Sequence, residues 1–430
     1  MSHISEIKTR EILDSRGNPT LEVDVILSNG LLGRAAVPSG ASKGSREAFE
    51  LRDNDLGRYN GLGLLKVIEK IRSEVVPQIQ GMSVSNQIEI DEKLLEIDAT
   101  ANKTNLGGNT MICISMAVAQ AGAQNYSIPL YKYISKLMQL NQLTIPIPMF
   151  NILNGGRHAF NSTDFQEFML IPINSQGFKQ SIRIGSEIYQ KIKSIILKKG
   201  FQTTVGDEGG FAPNITKNSD AIDLICESIE KSGYIPGKDC VIGIDAAASE
   251  FINKDKNYFL EKENLILSNL EMIEQFDKWI NKYPIVSIED GLAEDDWEGW
   301  KIMTKKLGKK ILLVGDDLYA TNPKTIEHGI SQKTSNAVLI KPNQIGTLKE
   351  TFEAIKVAHN SNLTTIISHR SGETEDTFIA DLAIGTNSKL IKSGAPARGE
   401  RTAKYNRLLR IEESLQSDPD FVGQSNLSFN

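Results

Sequence analysis

Cysteine is scarce: Cys113, Cys226 and Cys240 are the only three in 430 residues. They form no CxxC pair and are odd in number, which excludes a disulfide framework or a structural zinc site and leaves buried thiols. A surplus of positive charge is missing as well. The formal charge is −6, from 48 basic and 54 acidic residues, and no basic stripe is visible, so nucleic acid is not an expected partner. Long apolar runs are absent too. No stretch of 18 apolar residues occurs, and the opening MSHISEIKTREILDSRGN has no apolar leader core. Neither a membrane span nor a secretory leader is expected, and the cytosol is the default location. What is present is a 40% hydrophobic, 24% charged chain able to bury a real core. Its length exceeds one ordinary domain, so a small domain plus a larger barrel or sheet domain is the natural division.

Residues 4–37 alternate as two or three strands broken by the turn-rich SRGNP, which predicts an antiparallel meander. From Leu62 to Ile134 the apolar spacing becomes helical, as in LLKVIEKIRSEVV and MICISMAVAQAGA, giving an N-terminal α+β domain. QLNQLTIPIPM reads as a crossover, placing the boundary between domains 1–136 and 137–430. Beyond it short apolar strands alternate with amphipathic helices. CVIGID ends at Asp245, IVSIED contains Glu289, ILLVGDD contains Asp316, AVLIK ends at Lys341, TTIISHRS ends in His369, Arg370 and Ser371, and LIK ends at Lys392. PMFNIL, QEFMLIP and TTVGDEGG are expected to supply the earlier strands, the first two as a ββ start. Strands this apolar are buried on both faces, as a closed β/α barrel requires.

In such a barrel the active site lies at the C-terminal strand ends. One acidic residue there is explained by turn or capping chemistry, but three carboxylates, two lysines and an Arg-Ser pair on successive strands are not. Asp245, Glu289 and Asp316 offer only oxygen, the donor set of a hard cation such as Mg²⁺. Lys341, close to a dication and to Lys392, is expected to have a lowered pKa and to act as a base, pairing with an acid being the plainer alternative. Arg370 and Ser371 suggest an anion clamp for a phosphorylated ligand. GDEGGFAPN sets Glu208 between glycines on an exposed turn as a candidate general acid, with Gln166 and Glu167 from QEF nearby.

DSRGNPT (14–20), PSGAS (38–42), QEFM (166–169), GDEGGFAPN (206–214), SIEDGL (287–292), GDDL (315–318), KPNQIG (341–346), SHRSGETED (368–376) and AKYNRLLRIEE (403–413) together resemble the signature segments of the enolase family. The resemblance spans nearly the whole chain in order. It implies a capping domain with a lid loop, then a β/α barrel that starts ββαα. It also implies a Mg²⁺-dependent lyase interconverting 2-phosphoglycerate and phosphoenolpyruvate. Asp245, Glu289 and Asp316 would hold a structural Mg²⁺, with a second ion arriving with substrate. Lys341 would remove the C2 proton, and Glu208, assisted by Glu167, would protonate the leaving hydroxide. Gln166, His369, Arg370, Ser371 and Lys392 would bind substrate, while Ser42 and His158 would belong to closing lids.

A homodimer or octamer, surface or degradation-complex partners, and a secreted or cell-surface fraction are implied by the resemblance alone. Lys43, Arg157 and Gly399 depart from the family pattern without removing a site residue. Two of these add positive charge at the lids, unless the side chains simply face water. The rival readings are another lyase or racemase of the wider superfamily, which would have no use for the Arg370–Ser371 pair, and a non-catalytic scaffold, which would have no use for Lys341, Glu208 and the acids.

Overall fold

A computed structural model describes residues 2–41, 44–159 and 162–427, and the chain begins in it as the expected meander. Strands Ile4–Leu13, Pro19–Leu27 and Leu32–Ala36 pair antiparallel in sequence order. SRGNP closes the first hairpin because the Asp14 carboxylate accepts from the Arg16 and Asn18 amides at 2.9 and 2.8 Å, and Gly17 takes a φ of +75°. Helices Gln87–Asp98, Gly108–Asn125 and Leu130–Met138 follow. The second lies directly on the sheet. A Cβ on Gly33 would stand 2.2 Å from Ala117 O and Ala121 N, so only a bare strand residue permits this backbone approach. The same contact encloses the Cys113 thiol. Cys113 and Cys240 are buried as expected, Cys226 is partly buried, and none is paired.

Eight strands then close a barrel: Ile147–Asn154, Glu167–Pro172, Cys240–Asp245, Ile285–Glu289, Leu312–Gly315, Ala337–Ile340, Thr364–Ser368 and Leu390–Lys392. Their residues divide into two apolar clusters, as alternation dictates. Met149, Met169, Ile171, Val314, Leu339, Ile366 and Leu390 fill the interior. Phe168, Leu170, Ile244, Ile288, Ile340 and Ile391 face the surrounding helices. The second strand runs antiparallel to both neighbours, and helices Phe178–Lys198 and Asn218–Lys231 follow it before the third, which is the ββαα start.

TTVGDEGG is not a barrel strand. It lies in the loop between those two helices, and Val205 is 43% exposed where a barrel strand would be buried on both faces. The crossover segment also holds a short strand, Leu143–Ile145, paired with Phe421–Gln424.

Phe165, fully buried just before the second strand, packs against Phe251, Phe276 and Trp279 with ring centroids 5.7 to 5.9 Å apart. This cluster is the support on which Gln166 and Glu167 are mounted. Phe165→Ala is expected to cost about 3–5 kcal/mol in urea unfolding, the usual scale for emptying a buried aromatic site. A loss under about 1 kcal/mol would show that the neighbours collapse into the space.

Candidate active site

The polar residues expected at the strand ends meet at one mouth of the barrel. Asp245, Glu289 and Lys392 are the last residues of the third, fourth and eighth strands, and Asp316, Lys341 and His369 directly follow the fifth, sixth and seventh. Because the second strand is reversed, its start lies at this mouth. Glu167 pairs in register with Asp245 on one side and Asn154 on the other. Gly40, His158, Gln166, Glu167, Glu208, Asp245, Lys341, Ser368, His369, Arg370, Ser371 and Lys392 line a single cleft. Ser42 and Lys43 lie outside the described residues.

Lys392 is the hub of the acids. Its Nζ is 2.9 Å from Glu289 Oε1, and 3.1 Å from both Asp245 Oδ2 and Glu167 Oε1. Burial would lower its pKa, but Asp245, Glu167 and Glu289 outweigh that and hold it well above the ordinary lysine value. Lys341 is paired to Asp316 Oδ2, whose other oxygen accepts from Gln344 Nε2 at 3.0 Å. Burial again works to lower the Lys341 pKa, yet Asp316 holds it above the usual value. The lowered pKa expected from the sequence is thus not produced by the protein's own groups, because the nearest charge to Lys341 is an acid.

Five buried carboxylates, Glu167, Glu208, Asp245, Glu289 and Asp316, share the cleft region with these two lysines. Burial, then the charge of Asp245, pushes the Glu289 carboxyl well above the ordinary range, and burial, then Glu208, does the same to Glu167. Burial would raise Glu208 too, but His369, His158 and Lys392 around it hold it well below. The surplus of buried oxygen donors, with Glu167 Oε2 unpartnered, fits a hard dication. Among the described residues, His158, Glu167 and Glu208 converge within 4.8 Å, as do Asp290, Asp316 and Asp317. Asp245, Glu289 and Asp316 are instead spread around the two lysines.

Glu208 is not on an exposed turn. It is 3% exposed, because its loop folds back over the mouth. Gly209 makes that return with a φ of +88°, and a Cβ on Gly206 would stand 2.5 Å from His158 O. Glu208 Oε2 is 3.0 Å from Asn151 Nδ2 and 3.1 Å from His369 Nε2, and its Oε1 is 3.7 Å from His158 Nδ1. Gln166 Nε2 reaches Asp245 Oδ2 at 3.4 Å. Arg370 is 4% exposed and gripped in a two-point fork by Glu47, at 2.8 and 3.0 Å, and Ser371 Oγ accepts from the Ala41 amide at 2.6 Å. The capping domain therefore reaches into the cleft beside Arg370 and Ser371. Arg157 is ion-paired to Glu250 at 2.5 Å while remaining 61% exposed, and a Cβ on Gly399 would meet nothing within 4 Å.

Several participants went unnoticed in the sequence. Asn151, Glu47 and Arg401 contact Glu208, Arg370 and His369 from distant segments. Asp290, beside Glu289 in SIED, takes a φ of +41° and accepts from the Asp316 and Asp317 amides at 3.0 and 2.8 Å, so it fixes the loop that carries Asp316.

Residues 4–134 match the family model for the N-terminal domain of enolase, and residues 142–429 match the model for the enolase C-terminal TIM barrel domain. Members of this family use Mg²⁺, in keeping with the acid surplus at the barrel mouth. Sequence matches over both domains, the reversed second strand and the ring of acids and lysines agree: the chain belongs to the enolase family.

Proposed function

We propose that the protein catalyses the reversible dehydration of 2-phospho-D-glycerate to phosphoenolpyruvate and water, the hydro-lyase step of glycolysis and gluconeogenesis. The observation that carries this reading is the placing of Lys341 and Glu208 on one small cleft, the first just after the sixth strand and the second on the loop between helices Phe178–Lys198 and Asn218–Lys231, with Lys392 among the acids. Lys341 Nζ takes the C2 proton, and the electron pair left behind passes into the substrate carboxylate. That pair then forms the C2–C3 double bond as the C3–O bond breaks, and Glu208 gives the departing hydroxide its proton, with Glu167 as the neighbouring proton store. Gln166, His369, Ser371 and Lys392 hold the substrate, and His158 lies over it on the lid side. Asp245, Glu289 and Asp316 would hold Mg²⁺, with a second ion expected to enter with substrate, and the metal would supply positive charge beside the substrate carboxylate. Lys341 would be the stronger base were Asp316, its present partner, engaged by a bound cation.

Arg370 meets the phosphate by exchanging the Glu47 carboxylate for phosphate oxygens in the same planar fork. Arg370→Ala is expected to raise KM by about a hundredfold, the equivalent of two charge-assisted hydrogen bonds. An unchanged KM would remove Arg370 from substrate binding. Homo-oligomeric assembly, a cytoplasmic location and any surface or degradation-complex partners belong to the same reading and rest on family membership. No helix among the described residues is long and apolar enough to cross a membrane. The decisive assay is ultraviolet detection of phosphoenolpyruvate formed from 2-phosphoglycerate with Mg²⁺. Absence of turnover in folded, Mg²⁺-supplied protein would overturn the proposal.

A further inference from the structure

Arg401, on helix Gly399–Leu415, is fully buried, and its guanidinium reaches two loops at once. Nη1 is 2.7 Å from His369 Nδ1 and 2.6 Å from Arg370 O, while Nη2 is 3.0 Å from Asp207 O and 2.5 Å from Ser371 O. Across the same imidazole, His369 Nε2 stands 3.1 Å from Glu208 Oε2, close in distance but not aligned as a hydrogen bond, and it has no hydrogen-bond partner among the described residues. A guanidinium has only donors and stays charged, so the ring nitrogen facing it must offer a lone pair. Burial and the charge of Arg401 outweigh Glu208 and Glu373 and bring the His369 pKa down to about 4, so one ring proton remains at neutral pH. That proton sits on Nε2, facing the carboxylate. The other tautomer would set N–H against N–H at Arg401 and lone pair against lone pair at Glu208.

Resting on the reading of Glu208 as proton donor, we infer that Arg401 is a positioning residue that locks His369 in its Nε2–H tautomer and thereby selects Glu208 Oε1 as the oxygen carrying the transferable proton. Oε2 accepts from Asn151 Nδ2 at 3.0 Å and has His369 Nε2 3.1 Å away. Oε1 faces the His158 ring, 3.7 Å away, with no hydrogen bond to it among the described residues. The lock thus sets the face from which the leaving hydroxide is protonated. It has no bearing on proton removal by Lys341, which lies at the end of another strand.

The tautomer is readable without any activity. The chain has five histidines, so long-range ¹H–¹⁵N correlation spectra of ¹⁵N-histidine-labelled protein, assigned by single substitution, resolve His369. At neutral pH the expected pattern is an unprotonated Nδ1 and a protonated Nε2. A protonated Nδ1, alone or in an imidazolium, overturns the lock whether or not the dehydration reading stands. A pair of substitutions tests the consequence. Gln places its amide nitrogen near the position of Nε2, and Asn places its amide near that of Nδ1. His369→Gln is expected to retain at least about tenfold more dehydration than His369→Asn, with C2 proton exchange similar in both, since only the acid half-reaction is touched. Equal dehydration rates in the two would overturn the inference. Arg401→Gln, whose amide presents either an acceptor or a donor, is expected to give mixed tautomers. Should that variant fail to fold, the wild-type spectrum and the His369 pair still decide.

Discussion

Lys341→Ala loses solvent exchange of the C2 proton, whereas Glu208→Gln keeps that exchange and loses elimination of water. The two side chains sit on different parts of the barrel mouth, Lys341 beside Asp316 and Glu208 beneath the returning loop that touches His369. A ligand between them can lose a proton at one atom and hydroxide at the next without either residue serving both steps. Each substitution should slow turnover by at least about a hundredfold, the usual worth of a positioned acid or base. Exchange in D₂O followed by NMR, alongside the ultraviolet assay, separates the half-reactions. Exchange retained by Lys341→Ala and lost by Glu208→Gln would reverse the assigned roles.

Removal of divalent cations with EDTA is expected to lower turnover below about 1% and to be reversed by Mg²⁺, because the barrel mouth holds more buried carboxylate than its lysines can offset. A readout independent of activity is available. Mg²⁺ at about a hundred times its Kd should stabilise the fold by about 2.7 kcal/mol, raising the melting temperature. The pH dependence has a definite sign. Burial and Asp245 raise the pKa of Glu289, so protons compete with the ion, and Mg²⁺ affinity should strengthen as pH rises until Glu289 is ionised. Calorimetry in buffers of differing ionisation enthalpy should therefore detect proton release on binding. Full activity after exhaustive chelation, or binding with no proton release, would contradict the assignment.

The barrel was legible in the sequence because each strand carries its own apolar run and ends in a chemically conspicuous residue, and because PMFNIL and QEFMLIP follow one another with no amphipathic helical pattern between them. TTV deceived for a physical reason. A β-branched run ahead of a glycine turn has strand composition wherever it lies, and only its 43% exposed valine reveals that it links two helices. The pairings of Glu47 with Arg370 and Arg401 with His369 were not legible. The first joins residues 323 positions apart, and nothing in either local segment encodes the other. The Lys341 pKa was misjudged because strand order alone does not tell which acid lies nearest its ammonium.

Lys392 also bears on how the chain folds. The eighth strand is made last and closes the barrel by pairing with Ile147–Met149 on one side and Ile366–Ser368 on the other. Until it docks, Glu167, Asp245 and Glu289 face one another without their ammonium. A slip of one residue during docking would turn Leu390 and Lys392 outward among the helices and bring Ile391 among the carboxylates. Both errors are penalised at once, a charge in an apolar layer and acids left unneutralised. The lysine thus acts as an electrostatic key for the correct seam. Its replacement by methionine should leave a barrel that closes more slowly and in more than one alignment, quite apart from any loss of chemistry.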